Sequence, residues 1–352
     1  VTASDLPRLP RQRPDVPWPG EEWPTDEPGE AVDLARLDAA FARAFGAGTD
    51  PALGETLACV VVHRGRLVRE GYAAGRDPDD TLISWSMAKS VIHALVGVLV
   101  GEGRLDLHAE APVPEWQAAG DPRGAITLEH MLRMCDGLDF TEVYEEDAGR
   151  SDVIEMLFRS GRADVAAFAR ARAAAHAPGA WWSYSSGTTN IVSWIAGRAV
   201  GGGREGMESF MRSALFDRIG MRSATARFDD AGTFIGSSFV FATARDFARF
   251  GLLYLRDGVW GEAGTRLLPE GWVDHARTPT PASSGWYGAH WWLALDGSGT
   301  FSANGYQGQY IVVAPERDVV LVRLGVSTPE QRVAVLGWMR DIVESFPPGP
   351  SV

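Results

Sequence analysis

The chain has 352 residues, 45% of them hydrophobic, which is enough to build one large core or two interlocked ones. Its formal net charge is −13, with 46 acidic residues against 33 basic ones. That balance argues against nucleic acid or an anionic membrane as a partner. The two cysteines, Cys59 and Cys135, sit among apolar neighbours and read as buried free thiols. They are too few for a multi-cysteine zinc site.

Taken in chain order, residues 1–30 are rich in proline, tryptophan and acid and form an extended arm, laid on the surface by its tryptophans. No signal peptide or spanning segment is visible, so a cytoplasmic protein is expected, with the reservation that a removed leader leaves no trace. Asp33–Phe45 has helical periodicity through Leu34, Leu37, Phe41 and Phe45. Leu57–Val62 and Arg66–Tyr72 read as a hairpin turning at His63-Arg64-Gly65. An apolar helix covers Val91–Val100. Further helices are predicted at Leu128–Met134, Ser151–Phe158, Thr189–Val200, Met207–Ile219 and Ala244–Tyr254. Strands return at His290–Leu295, Gly308–Ala314 and Val319–Gly325, and a helix closes the chain over Pro329–Phe346. The pattern predicts an α+β protein. Residues 1–75 and 285–352 form one discontinuous antiparallel sheet domain flanked by helices, and 76–284 form a mostly helical domain.

Of the 33 basic residues, 32 are arginine and one is lysine, Lys89. A guanidinium stays protonated, whereas a desolvated lysine amine can lose its proton. A proton acceptor at this position could therefore be lysine but not arginine. Ser86 lies three residues earlier, on the same face of a helix that is about to start. The first turn of a buried helix is a poor place for a cation, so Lys89 reads as a base beside an alcohol.

Two further constellations follow. Tyr184-Ser185-Ser186 comes after a Pro178-Gly179 turn and before a helix. A phenol near the lysine could relay protons, and a neighbouring cation would lower its pKa toward a usable phenolate. Gly305-Tyr306-Gln307-Gly308-Gln309 leads into the strand at Tyr310. Its backbone can offer an N–H to a developing oxyanion, with Ser86 and Gln309 as the two expected donors. Other patterns fail. Gly201–Gly206 matches G-x-G-x-x-G but follows a helix, no Walker lysine exists, and no G-x-S-x-G elbow occurs. The seven histidines lack metal spacing, and no metal or cofactor is expected. His93 reads as a satisfied core residue, and His290 as a candidate to approach the site.

Ser86-x-x-Lys89, Tyr184-Ser185-Ser186 and Tyr306-Gln307-Gly308, together with Gly236-Ser237-Ser238 through Phe250-Gly251, resemble the serine hydrolases related to class C β-lactamases. That group includes penicillin-binding DD-peptidases, β-lactamase-like carboxylesterases and 6-aminohexanoate-dimer hydrolase. The resemblance implies the β-lactamase/transpeptidase fold and an acyl-enzyme on Ser86. Lys89 and Tyr184 would be general base and acid, and the backbones of Ser86 and Gln309 the oxyanion hole. Tyr306 stands where β-lactamases of this kind usually carry lysine, and Ser186 where they usually carry asparagine. Both changes remove handles for penicillin-like ligands. Esters or small linear amides such as 6-aminohexanoate oligomers are the expected substrates. A β-lactamase or DD-peptidase comes second, and a catalytically silent binding protein third. Tyr144, Trp182, Ser186, Tyr306, Gln307 and Gly308 are the expected substrate contacts. Of the aromatic set Trp85, Trp181, Trp182, Trp286, Trp291, Trp292 and Tyr306, at most half should line a site, because a core needs aromatic residues too.

Overall fold

A computed structural model of the chain describes residues 6–144, 149–294 and 296–349. Among these residues are eleven strands: β1 Glu55–His63, β2 Arg66–Tyr72, β3 Leu82–Ile83, β4 Thr225–Ala226, β5 Val240–Ala242, β6 Val259–Trp260, β7 Thr265–Arg266, β8 Trp292–Leu293, β9 Phe301–Gly305, β10 Gln309–Ala314 and β11 Val319–Val326. Ten α-helices accompany them: α1 Leu34–Phe45, α2 Ala88–Gly101, α3 Leu128–Leu132, α4 Asp152–Phe158, α5 Val165–Arg170, α6 Ser186–Val200, α7 Gly203–Met211, α8 Ala244–Leu255, α9 Trp272–Arg277 and α10 Arg332–Glu344.

The main sheet is antiparallel, in the order β2-β1-β11-β10-β9-β8, so strands from the two ends of the chain meet at the β1–β11 pair. Its central strands are apolar almost throughout because helices cover both faces. On one face Cys59, Val61, Val312 and Leu321 pack with Leu37, Phe41, Val335 and Trp338 of α1 and α10. On the other, Val60, Val62, Ile311 and Val320 join the large core that contains α2, α6 and α8. Although α8 comes from the 76–284 stretch, it lies directly on the sheet. A Cβ at its Gly251 would come within 2.5 Å of Val320 Cγ1, so only glycine lets helix and strand approach this closely.

Helix starts follow their caps. Asp33 accepts from Arg36 N–H at 3.0 Å, Thr127 and His130 form a reciprocal capping box, and Ser185 accepts from Thr188 N–H at 3.0 Å. The β1–β2 hairpin turns at Arg64 and Gly65, both with positive φ, as a two-residue loop matching the strand twist requires. The arm over residues 6–30 crosses β2 through a Thr25–Leu67 bridge. It is pinned by Trp18 against Trp260 and by Arg249, which donates to Pro19 O and Glu21 O. Cys59 and Cys135 are free and buried.

Several expectations are corrected. The helix expected over Met207–Ile219 breaks into α7 and a π-turn at Arg212–Phe216. The strand expected over His290–Leu295 is only β8, and Leu295 lies outside the described residues. Strand β9 was not foreseen. Phe301-Ser302-Ala303-Asn304-Gly305 has one strong strand former, and it is ordered by pairing on one side with β10 and on the other with β8. No helix among the described residues is long and apolar enough to cross a membrane.

Candidate active site

Ser86 occupies a one-turn 3₁₀ segment, Trp85–Met87, that runs straight into α2, with Trp85 at φ +44°. Lys89 follows as the second residue of α2 and is buried. The Lys89 amine reaches three oxygens: Ser86 Oγ at 3.1 Å, Ser186 Oγ at 3.0 Å and Ser237 O at 2.9 Å. None belongs to a carboxylate. Burial pushes this lysine down to about 8, opposed by the negative charge of Glu142. The positive end of the α2 dipole also disfavours the ammonium. An amine with a lowered pKa, three residues from a serine hydroxyl, agrees with the reading of the lone lysine.

Tyr184 stands over the same amine, with Lys89 Nζ 4.8 Å from its ring centroid. Burial raises the Tyr184 hydroxyl, the adjacent Ser86 hydroxyl lowers it, and Glu142 raises it again. The net direction is upward, opposite to the lowering expected from a neighbouring cation.

Glu142 was missed by sequence reasoning. One carboxylate oxygen accepts from Ser186 Oγ at 2.6 Å and from Tyr144 OH at 2.6 Å, while the other accepts from Ser186 N–H at 2.8 Å. Ser186 therefore bridges the acid to Lys89, and Tyr144 is drawn over the serine. The available signal was an acid two residues before Tyr144 in an extended segment, where alternate side chains share a side.

Two cavities meet at Ser86. The larger, about 480 Å³, is lined by Ser86, Glu142, Tyr144, Tyr184 and Trp292 and by the β9–β10 hairpin from Asn304 to Gly308, with Arg332 at its edge. The smaller, about 290 Å³, shares Ser86, Tyr144 and Tyr306 with it and also touches Ser186. The Tyr144 and Tyr306 rings stand 5.0 Å apart as the partition between the two. The structure therefore gathers Tyr144, Ser186, Tyr306, Gln307 and Gly308 around the nucleophile. Trp182 stands outside the cavity walls, packed against Trp292 and Tyr287. Of the seven aromatics, Trp85, Trp292 and Tyr306 line a cavity, Trp181 and Trp286 are exposed elsewhere, and Trp291 is core.

Gln309 is not among the residues that line either cavity. It is buried in β10 opposite Gly305. Its side chain donates to Tyr306 O at 3.0 Å and Gly325 O at 2.6 Å and accepts from Gly325 N–H at 2.9 Å. The cavity wall belongs to the residues just before it. Gly305 runs so close to the Ser86 turn that a Cβ there would lie 2.3 Å from Ser84 O. Among the described residues the next amide, Tyr306 N–H, makes no backbone hydrogen bond. Arg323, fully buried and lowered to about 10 by burial, donates to Gln307 O at 3.2 Å and Gly308 O at 2.7 Å and fixes the hairpin from behind. Sequence reasoning also missed this role, because an arginine inside a strand gives no hint of which loop it holds.

His290 approaches Lys89 from the core without entering a cavity. Its nitrogens meet Leu132 O at 2.7 Å and Thr189 Oγ1 at 3.1 Å, and burial lowers it to about 3, so it stays neutral. His93 is a satisfied core histidine, 2.8 Å from Tyr254 OH. Among the described residues no group of three or more His, Cys, Asp or Glu side chains could hold a metal.

An antiparallel sheet with helices on both faces, a helical insert and a Ser-x-x-Lys turn at their junction defines the β-lactamase/transpeptidase fold. The chain belongs to the Beta-lactamase family, whose model matches residues 49–342. It is 29% identical over 317 residues to the 6-aminohexanoate-dimer hydrolase of Paenarthrobacter ureafaciens, covering 84% of this chain and 78% of that one. In structure it is similar to a candidate 6-aminohexanoate-dimer hydrolase from Bacillus anthracis, with TM-score 0.75, 22% identity and coverage of 97% and 92%. It is also similar to the simvastatin synthase of Aspergillus terreus, with TM-score 0.66, 17% identity and coverage of 90% and 98%.

Proposed function

We propose that this protein is a serine hydrolase that cleaves carboxylic esters or small linear amides through an acyl-enzyme on Ser86. The observation that carries the reading is the buried Lys89 amine, 3.1 Å from Ser86 Oγ and lowered to about 8. Neutral Lys89 takes the Ser86 proton as Oγ attacks the carbonyl. The oxyanion settles between two backbone donors, Ser86 N–H and Tyr306 N–H, the latter in place of Gln309. The tetrahedral adduct collapses as Tyr184 protonates the departing alkoxide or amine. Water then attacks the ester on Ser86 and gives its proton to the Tyr184 phenolate, and Lys89 returns its proton to Oγ as the Oγ–acyl bond breaks and the carboxylic acid leaves. Likeness to the 6-aminohexanoate-dimer hydrolase is what extends the substrate range from esters to linear amides.

Penicillin recognition ranks lower, because the chain holds no second lysine to receive a β-lactam carboxylate. A silent binding protein ranks lower still: a buried amine costs folding energy that only proton transfer explains. The test is turnover of p-nitrophenyl esters and of a linear amide by wild type and Ser86→Ala, with nitrocefin alongside. Ester or amide turnover lost in Ser86→Ala is expected. Turnover that survives the substitution would overturn the proposal, as would nitrocefin turnover without ester or amide hydrolysis.

A further inference from the structure

Resting on the hydrolase reading, we infer that the two cavities at Ser86 are separate acyl and leaving-group compartments, and that the acyl compartment takes an uncharged, apolar acyl chain. The group that protonates the leaving atom must face it, and Tyr184 lines only the larger cavity. The leaving alcohol or amine therefore departs into that space, between Glu142 and Arg332, which are charges of opposite sign. The acyl chain extends the other way, past the Tyr144–Tyr306 partition.

The wall it meets there is apolar. Helix α4 presents Ile154, Leu157 and Phe158 at i, i+3 and i+4, one face of a helix, with Val153 beside them and Trp85 opposite. Phe158 is half-exposed and lines the mouth of this cavity. Among the described residues the one charged side chain on this wall is Arg159, 3.1 Å from Glu155. Among the described residues no carboxylate lines this wall, so none of them would pair with an ammonium at the far end of an acyl chain. This separates the chain from a strict 6-aminohexanoyl hydrolase, whose acyl group ends in such an ammonium.

The experiment is kcat/KM on p-nitrophenyl acetate, butyrate, hexanoate, octanoate and 6-aminohexanoate. The inference expects a rise of about three- to fourfold per buried methylene until the compartment is full. It also expects the 6-aminohexanoyl ester to fall at least about tenfold below the hexanoyl ester, as an unpaired buried charge costs more than a methylene gains. Leu157→Trp should collapse the hexanoate-to-acetate ratio, and Leu157→Ala should move the optimum to longer chains. Neither should alter the preference among acetates of different alcohols. A flat acyl series, or a 6-aminohexanoyl ester as good as hexanoyl, would overturn the inference while leaving the hydrolase intact. So would Leu157 variants that reshape the alcohol preference. Absence of any ester or amide turnover, with Ser86 unreactive, would overturn both.

Discussion

If neutral Lys89 is the base, activity must follow its titration. Burial holds the amine at about 8 rather than the ordinary 10.5. With that value about one enzyme in a hundred carries neutral Lys89 at pH 6, about one in ten at pH 7 and about nine in ten at pH 9. The free-enzyme kcat/KM should therefore climb about tenfold between pH 6 and 7, bend near 8 and level off by about 9. The assay is initial-rate hydrolysis of a p-nitrophenyl ester across pH 6–9.5, corrected for hydroxide hydrolysis. A parallel pseudo-first-order rate of fluorophosphonate capture at Ser86 removes leaving-group effects. Both should bend at the same pH. A flat profile, or a limb still rising toward 10.5, would refute the claim that desolvation prepares the amine.

The same burial gives a stability signature. The folded pKa lies below the unfolded one, so the penalty is full below about pH 8 and fades as pH rises to 10.5. Relative to Lys89→Met, the wild type should gain up to about 3 kcal/mol of unfolding free energy between pH 7 and 10.5, measured by urea titration. Lys89→Arg should keep the fold by circular dichroism and lose at least about a hundredfold in kcat/KM, because a guanidinium cannot accept the serine proton. Glu142→Gln should move the activity midpoint to lower pH, since the carboxylate raises Lys89. It should also raise KM by loosening the amide's hold on Tyr144. An unmoved pH profile in that variant would contradict the electrostatic coupling. Gly305→Ala should cut turnover more than it cuts Tm, because its Cβ pushes on Ser84 O beside the nucleophile. Wild-type turnover there would remove Gly305–Tyr306 from the oxyanion wall.

What was legible in the sequence was what is local or compositional. Ser86 and Lys89 are three residues apart, and the lysine stands out among 32 arginines. The hairpin at Arg64-Gly65 and the helix with regular apolar spacing at Leu34–Phe45 announce themselves within a few residues. Glu142 was not legible because its meaning lies in contacts 44 residues away at Ser186. That Gln309 lies off the cavity wall was hidden for a related reason. Without β9, the hairpin that carries Asn304 to Gly308 past Ser86 could not be placed. Tyr184 lies beside Lys89, as the motif pairing suggested, but its hydroxyl is raised rather than lowered. Proximity to a cation was visible in the motif pairing, whereas its burial, which dominates, is a property of the packed core.

Intact-mass analysis after fluorophosphonate treatment, with Ser86→Ala beside the wild type, tests the central claim most directly. The account predicts one adduct on the wild type, mapped to Ser86, and none on the variant. An adduct that survives Ser86→Ala, or a wild type that stays unlabelled at pH 9 where Lys89 is neutral, would contradict it.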